Sequence, residues 1–316
     1  MLPKEIMRRV REIQVRTGRQ VADVLAGEYV SVFRGSGIEF DEVRPYIPGD
    51  DVRSIDWNVT ARMGEPFVKR YVEERQLTLM LLADVSASLD FGSGSRSKRE
   101  CAAELCALLA FSASQNDDKV GLLLFHGGTE RYIPPRKGYK HALRVVREVL
   151  THGQEANDDR TRPRRIWPWS NRRRLRAPRE GTDIDAAVEF LLSVNKRRAV
   201  CFVVSDFIDE DFERALRSAN RKHDVIAVLV TDPREQEIPD VGLISLQDAE
   251  TGAMRVVDAG RAAFRDAVDK HSRERITALR MRLLSAGIDL IHVDASGNVV
   301  DPLVRFFRAR ERRAGR

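Results

Sequence analysis

The hydrophobic pattern alternates between short unbroken apolar runs and longer stretches with helical spacing. Leu77–Ala83 (LTLMLLA) is apolar on both faces a strand would present, so it reads as a buried central strand. Lys119–Phe125 (KVGLLLF), Arg198–Ser205 and Asp224–Val230 repeat the pattern, and Ile288–Val293 is expected to be the last strand. Between these runs the spacing predicts helices over Ser97–Gln115, Gly138–Leu150, Asp183–Ser193, Asp211–Lys222 and Ala262–Ala286. Ser97 with Glu100 three positions on forms a capping-box pattern, and Gly287 is placed to stop the long helix. Thr129–Pro134 reads as a short edge strand ended by Pro134-Pro135, because proline brings no donor to a ladder. Leu243–Gln247 and Arg255–Val257 read as short strands turning through Thr251-Gly252. Asp301-Pro302, an N-cap followed by proline at the first helical position, is expected to open a final basic helix to about Arg310. Strands alternating with helices predict an α/β fold, a doubly wound and mostly parallel sheet of Rossmann-like topology.

Three stretches fall outside that alternation. Ile6–Ala26 has near-helical apolar spacing. In the strap that follows, Pro48-Gly49 fits a type II turn, and Phe40, Tyr46, Ile55 and Trp57 could anchor it to a sheet. Arg44, Arg53, Asp50, Asp51 and Asp56 could pair with one another, and Ala61–Glu74 reads as extended chain feeding the central strand. Residues 153–180 lose all apolar period and read as a long basic loop or insert. The expected organisation is a helical segment over 1–29, a β-rich appendage over 30–76, the α/β domain over 77–300 with the insert at 153–180, and a basic helix over 301–316.

Composition narrows the function classes modestly. The 316 residues are 42% hydrophobic and 32% charged, ordinary globular values, and no apolar run approaches the ~20 residues of a membrane helix. The opening MLPKEIMRRVREIQ is amphipathic without an h-region, so the cytoplasm is the expected compartment. Cys101, Cys106 and Cys201 all lie in core-like segments and read as reduced thiols; no Cys or His cluster has zinc-ligand spacing. A net charge of +6 is mildly basic and does not by itself identify a nucleic-acid binder.

Candidate chemistry begins where the central strand ends. Asp84, Ser86 and Ser88 follow it in a loop, at the end of an open α/β sheet where ligands bind. One carboxylate and two hydroxyls suit a hard divalent cation that keeps some water. This Asp-x-Ser-x-Ser spacing resembles the metal-ion-dependent adhesion site of von Willebrand factor type A domains. That pattern implies two further pieces, and both occur in order: Thr182 at a helix start and Asp206 after the strand CFVVS. The resemblance implies that Ser86, Ser88 and Thr182 ligate through hydroxyls, with Asp84 and Asp206 acting directly or through water. Magnesium is the default ion, and manganese or calcium also suit the oxygens.

A longer string carries a second resemblance. Phe40, Glu42, Arg44, Tyr46, Gly49-Asp50-Asp51, Arg53, Ile55-Asp56-Trp57, Arg62, Glu73-Glu74 and then Asp84-Val-Ser86-Ala-Ser88 is similar to the bacterial domain-of-unknown-function family number 58. Leu89 replaces a methionine common in such sites, a volume-conserving change. Members are type A-like proteins usually encoded beside MoxR-type AAA+ ATPases. The resemblance implies a non-enzymatic, metal-dependent interaction module whose partner, the ATPase or a client protein, offers an Asp or Glu to the ion.

Two other readings stay open. Arg164, Arg165, Arg172 and Arg173 surround Trp167 and Trp169 in the insert, and arginine interleaved with tryptophan is how single-stranded nucleic acid is held. The same residues could dock an acidic partner. A phosphoryl-transfer enzyme with Asp84 as nucleophile is less favoured, because Ser86 stands where a second acid would be needed and the six histidines are scattered.

Overall fold

In the computed structural model, residues 37–74, 77–161, 182–209, 212–249 and 253–314 are described. They fall into two compact units, Phe33–Leu77 and a larger one that includes Thr78–Arg316.

The smaller unit is a hairpin with a helical turn in its loop. Strand β1 (Gly37–Pro45) pairs antiparallel with β2 (Phe67–Glu74), and a register shift lies between Phe40 and Glu42. Between them run a 3-10 turn over Val52–Ser54 and helix α1 (Trp57–Met63). Pro48-Gly49 does turn the chain: Gly49 has φ +113, and the Asp50 amide bonds the Ile47 carbonyl at 3.0 Å. Arg44 grips Asp50 with two parallel bonds of 2.8 and 2.7 Å. Asp51 and Asp56 serve as N-caps, and Lys69 lies 3.3 Å from Asp56.

Two expectations for this unit are corrected. Ala61 and Arg62 are helical, because the Asp56 carboxylate satisfies the amides of Asn58 and Val59 and so starts a helix that Gly64 ends at φ +78. Trp57 is no anchor: as the first residue of α1 it is 66% exposed.

The larger unit is built on one six-stranded sheet. Its strands are β3 (Thr78–Asp84), β4 (Lys119–Phe125), β5 (Thr129–Arg136), β6 (Val200–Ser205), β7 (Asp224–Thr231) and, last in the chain, β10 (Asp289–Asp294). Their spatial order is β10-β7-β6-β3-β4-β5, all parallel except the antiparallel edge strand β5. The expected α/β architecture is therefore the observed one. The order reverses at β3: the chain leaves it first for β4 and returns later to β6 on its other side.

Helices α2 (Lys98–Gln115), α3 (Tyr139–Thr161), α4 (Ile184–Val194), α5 (Glu213–Lys222), the short α6 (Pro233–Gln236), α7 (Ala262–Ser285) and α8 (Val300–Ala314) link and follow the strands. One core joins Met80 and Leu82 of β3, Leu123 and Phe125 of β4, and Cys201 and Val203 of β6 to α4, α5 and α7. The alternate residues Leu79, Leu81, Leu122, Leu124, Phe202 and Val204 are equally closed from solvent, as a sheet covered on both faces requires. A second hairpin, β8 (Leu243–Gln247) with β9 (Met254–Asp258), leaves the main sheet and exposes Leu243, Met254 and Val256. No helix among the described residues is long and apolar enough to cross a membrane.

Several boundaries move for physical reasons. Strand β5 runs through Pro134 and Pro135 to Arg136, which an edge position tolerates; the register against β4 shifts there, between Val120 and Leu122. Helix α3 continues to Thr161, so residues 153–161, expected as loop, are helical. Helix α8 starts at Val300, whose amide bonds the Asn298 side chain at 2.9 Å, and Asp301-Pro302 lies within its first turn rather than at the cap. Proline is accommodated there because first-turn amides have no partner within the helix. Residues 1–36, with the expected helix Ile6–Ala26, lie outside the described residues.

Candidate metal centre

The centre is assembled at the carboxyl end of β3. Asp84 closes that strand, paired in register with Phe125 of β4, while Ala83 pairs with Val204 of β6. Ser205 is thus carried alongside Asp84, and its hydroxyl donates to Asp84 Oδ2 at 2.7 Å. Asp84 Oδ1 accepts the Ser86 amide, also at 2.7 Å, which folds the loop back over the strand end. That turn sets the Ser86 and Ser88 hydroxyls 2.9 Å apart. Arg99 braces the loop from beneath, donating to the carbonyls of Val85 and Ser86 and to Asp90.

Thr182 is pinned through its neighbours. The Asp183 amide bonds the carbonyl of His126, just past β4, at 2.8 Å. The Ile184 amide bonds Asp209, just past β6, at 3.0 Å. These two ties bracket the end of β3, and Asp183 caps α4 through the Ala186 amide. Asp206 follows β6 directly and is wholly buried.

All five predicted side chains are buried. Burial first, and the nearby Asp206 charge second, raise the Asp84 carboxyl from its ordinary value to about 6. Two oxygens are left over. Thr182 Oγ1 and Asp206 Oδ1 are buried without a hydrogen-bond partner, an arrangement that costs about 1–3 kcal/mol per neutral group and more for a charged one. By type, these two oxygens and the two serine hydroxyls are rich in hydroxyl and poor in carboxylate. Among the described residues there is no group of three or more His, Cys, Asp and Glu side chains suited to a metal. A cation here would have to be held largely by hydroxyls, as hard divalent ions allow.

Sequence reasoning missed Lys98 and Ser205. Lys98 is entirely buried, and its Nζ donates to Asp206 Oδ2 at 2.8 Å and to Glu235 Oε1 at 2.5 Å. Burial alone would lower this ammonium, but the two carboxylates more than offset that and raise it. Its one local trace is position: Lys98 is the first residue of α2, where the helix dipole disfavours a cation unless something anionic holds it, but the sequence around it does not say what that is. Ser205 carried no signal beyond its place before Asp206. The predicted partner-binding residues Arg164, Arg165, Trp167, Trp169, Arg172 and Arg173 lie outside the described residues.

The family model described as "Protein of unknown function DUF58" matches residues 42–278, from the first hairpin into α7. This chain is a DUF58 protein. An uncharacterized protein from Mycobacterium tuberculosis is 31% identical over 309 residues, covering 96% of this chain and 90% of its own. Among solved structures, the conserved hypothetical protein BatB from Bacteroides thetaiotaomicron is 16% identical, covering 75% of this chain and 99% of its own, with a TM-score of 0.40. The SpRpn10 von Willebrand factor type A domain is 11% identical, covering 73% and 95%, with a TM-score of 0.35.

Proposed function

We propose that this DUF58 protein is a metal-dependent interaction module that takes an acidic residue of a partner protein at the end of β3. The observation that carries the reading is the pair of buried oxygens without partners, Thr182 Oγ1 and Asp206 Oδ1, in segments tied to or following the ends of the strands that flank β3, where the Ser86 and Ser88 hydroxyls pair. Ser86, Ser88 and Thr182 would hold the ion by their hydroxyls; Asp84 and Asp206 would hold it directly or through water. Magnesium fits a hydroxyl-rich site that retains waters, and manganese and calcium are accommodated by the same oxygens. With only two carboxylates the ion keeps positive character and supplies a seat for a partner's Asp or Glu. The partner is a MoxR-type AAA+ ATPase or a client delivered to it.

This reading makes the chain an adaptor and not an enzyme. Both oxygens of Asp84 already accept hydrogen bonds, and the residue is 2% exposed, so the carboxylate is not presented as a nucleophile.

The test is capture from native extract by the full chain with magnesium or with chelator, alongside melting curves. Magnesium should be required for capture. Saturation at ~100 times the dissociation constant should add about 2.7 kcal/mol of stability. Asp84→Ala should lose both effects while keeping its circular dichroism. Equal capture by a folded Asp84→Ala protein overturns the reading.

A further inference from the structure

Resting on that reading, we infer that Lys98 is a built-in counter-cation of the metal centre: it claims one oxygen of Asp206, weakens the grip on the ion and leaves the bound ion more electropositive. The geometry is specific. Asp206 divides its two oxygens between two roles. Oδ2 is held by Lys98 Nζ at 2.8 Å, and Oδ1 is buried without a partner. Lys98 is itself fully closed from solvent, so its charge is not dispersed by water. It is fixed from the far side by Glu235 in α6, a helix with its own capping box on Asp232. Asp232 in turn accepts from the amide and hydroxyl of Ser93, tying α6 to the loop between Ser88 and α2. The ammonium is therefore held between Asp206 and a Glu235 whose helix is itself braced.

Its electrostatic consequences have definite signs. A positive charge sharing a ligand with the ion lowers the affinity of the centre for that ion. In the metal-free protein the same charge compensates Asp206, whose neighbour Asp84 is also acidic. Glu235 moderates the effect, because it draws part of the ammonium's field away from Asp206. Lys98 and Glu235 should then act on metal affinity in opposite directions.

The experiment is calorimetric titration of the full chain with magnesium and with manganese, for the wild type, Lys98→Met and Glu235→Gln, with circular dichroism and metal-free melting of each. Lys98→Met should melt lower without metal yet bind the ion about ten-fold more tightly. Glu235→Gln, at a carboxylate whose side chain is 27% exposed, should bind it several-fold more weakly. If Lys98→Met does not fold, the Glu235→Gln direction decides alone. Affinities equal to wild type in the folded variants, or weaker binding by folded Lys98→Met, overturn this inference and leave the metal reading standing. A wild type that takes neither ion overturns both.

Discussion

At the scale of single residues, Asp84 links the local chemistry to pH. Its carboxyl is raised to about 6 in the metal-free fold, chiefly by burial. A carboxyl raised above its unfolded value favours the folded state when protonated. That contribution is fully present below about 4 and is lost as pH rises through about 6. The metal-free wild type should therefore lose stability relative to Asp84→Asn over that window, and at pH 7 the amide variant should melt at or above the wild type. On the proposed reading an ion would take Asp84 as its carboxylate, so protons would compete with it. Magnesium titrations at several pH values should show affinity nearly level above pH 7 and falling up to ten-fold per pH unit below about 6. The Asp84→Asn protein, neutral at this position, should show neither trend. The cysteines take no part: burial pushes the Cys101 and Cys106 thiols up to about 12, so they stay protonated and inert.

Among elements, α2 bears most directly on the centre. Its first residues are Lys98, on Asp206, and Arg99, under the Ser86 loop. Both halves of the Ser97–Glu100 capping box form, at 3.2 Å each. Ser97→Ala should cost about 1 kcal/mol, seen as a melting point lower by roughly 2–4 °C for a unit of this size. Because the cap also sets where Lys98 and Arg99 point, the same variant should change magnesium affinity, which a remote helix cap would not. The elements were legible where local chemistry decides them. The run Leu77–Ala83 is β3 to within a residue, Lys119–Phe125 is β4, and Gly287 takes the positive φ that ends α7. Asp84, Ser86, Ser88, Thr182 and Asp206 could be placed from sequence because each sits beside a strand end or helix start. Lys98 escaped because a buried lysine makes sense only through Asp206 and Glu235, more than a hundred residues away in the chain. The start of α8 was misplaced because Asn298, rather than Asp301, supplies the capping oxygen.

Across the whole molecule, the family match spans both units, so the first hairpin belongs to the plan of a DUF58 chain as much as the sheet does. Two acidic partner classes, a protein carboxylate and a nucleic acid, separate by salt and chelator. Capture of a protein carboxylate by the ion should vanish with chelator and survive moderate salt. Retention of a single-stranded oligonucleotide by several phosphate contacts should instead fall steeply from about 50 to 200 mM salt and ignore chelator. Binding of that second kind would move the functional reading to the basic insert. The sheet's outer margin on the β5 side has a further consequence. Pro134 and Pro135 in succession bring no amide donors to the stretch where the register against β4 slips; an edge interrupted in this way is a poor template for a stray strand from another copy to grow a fibre.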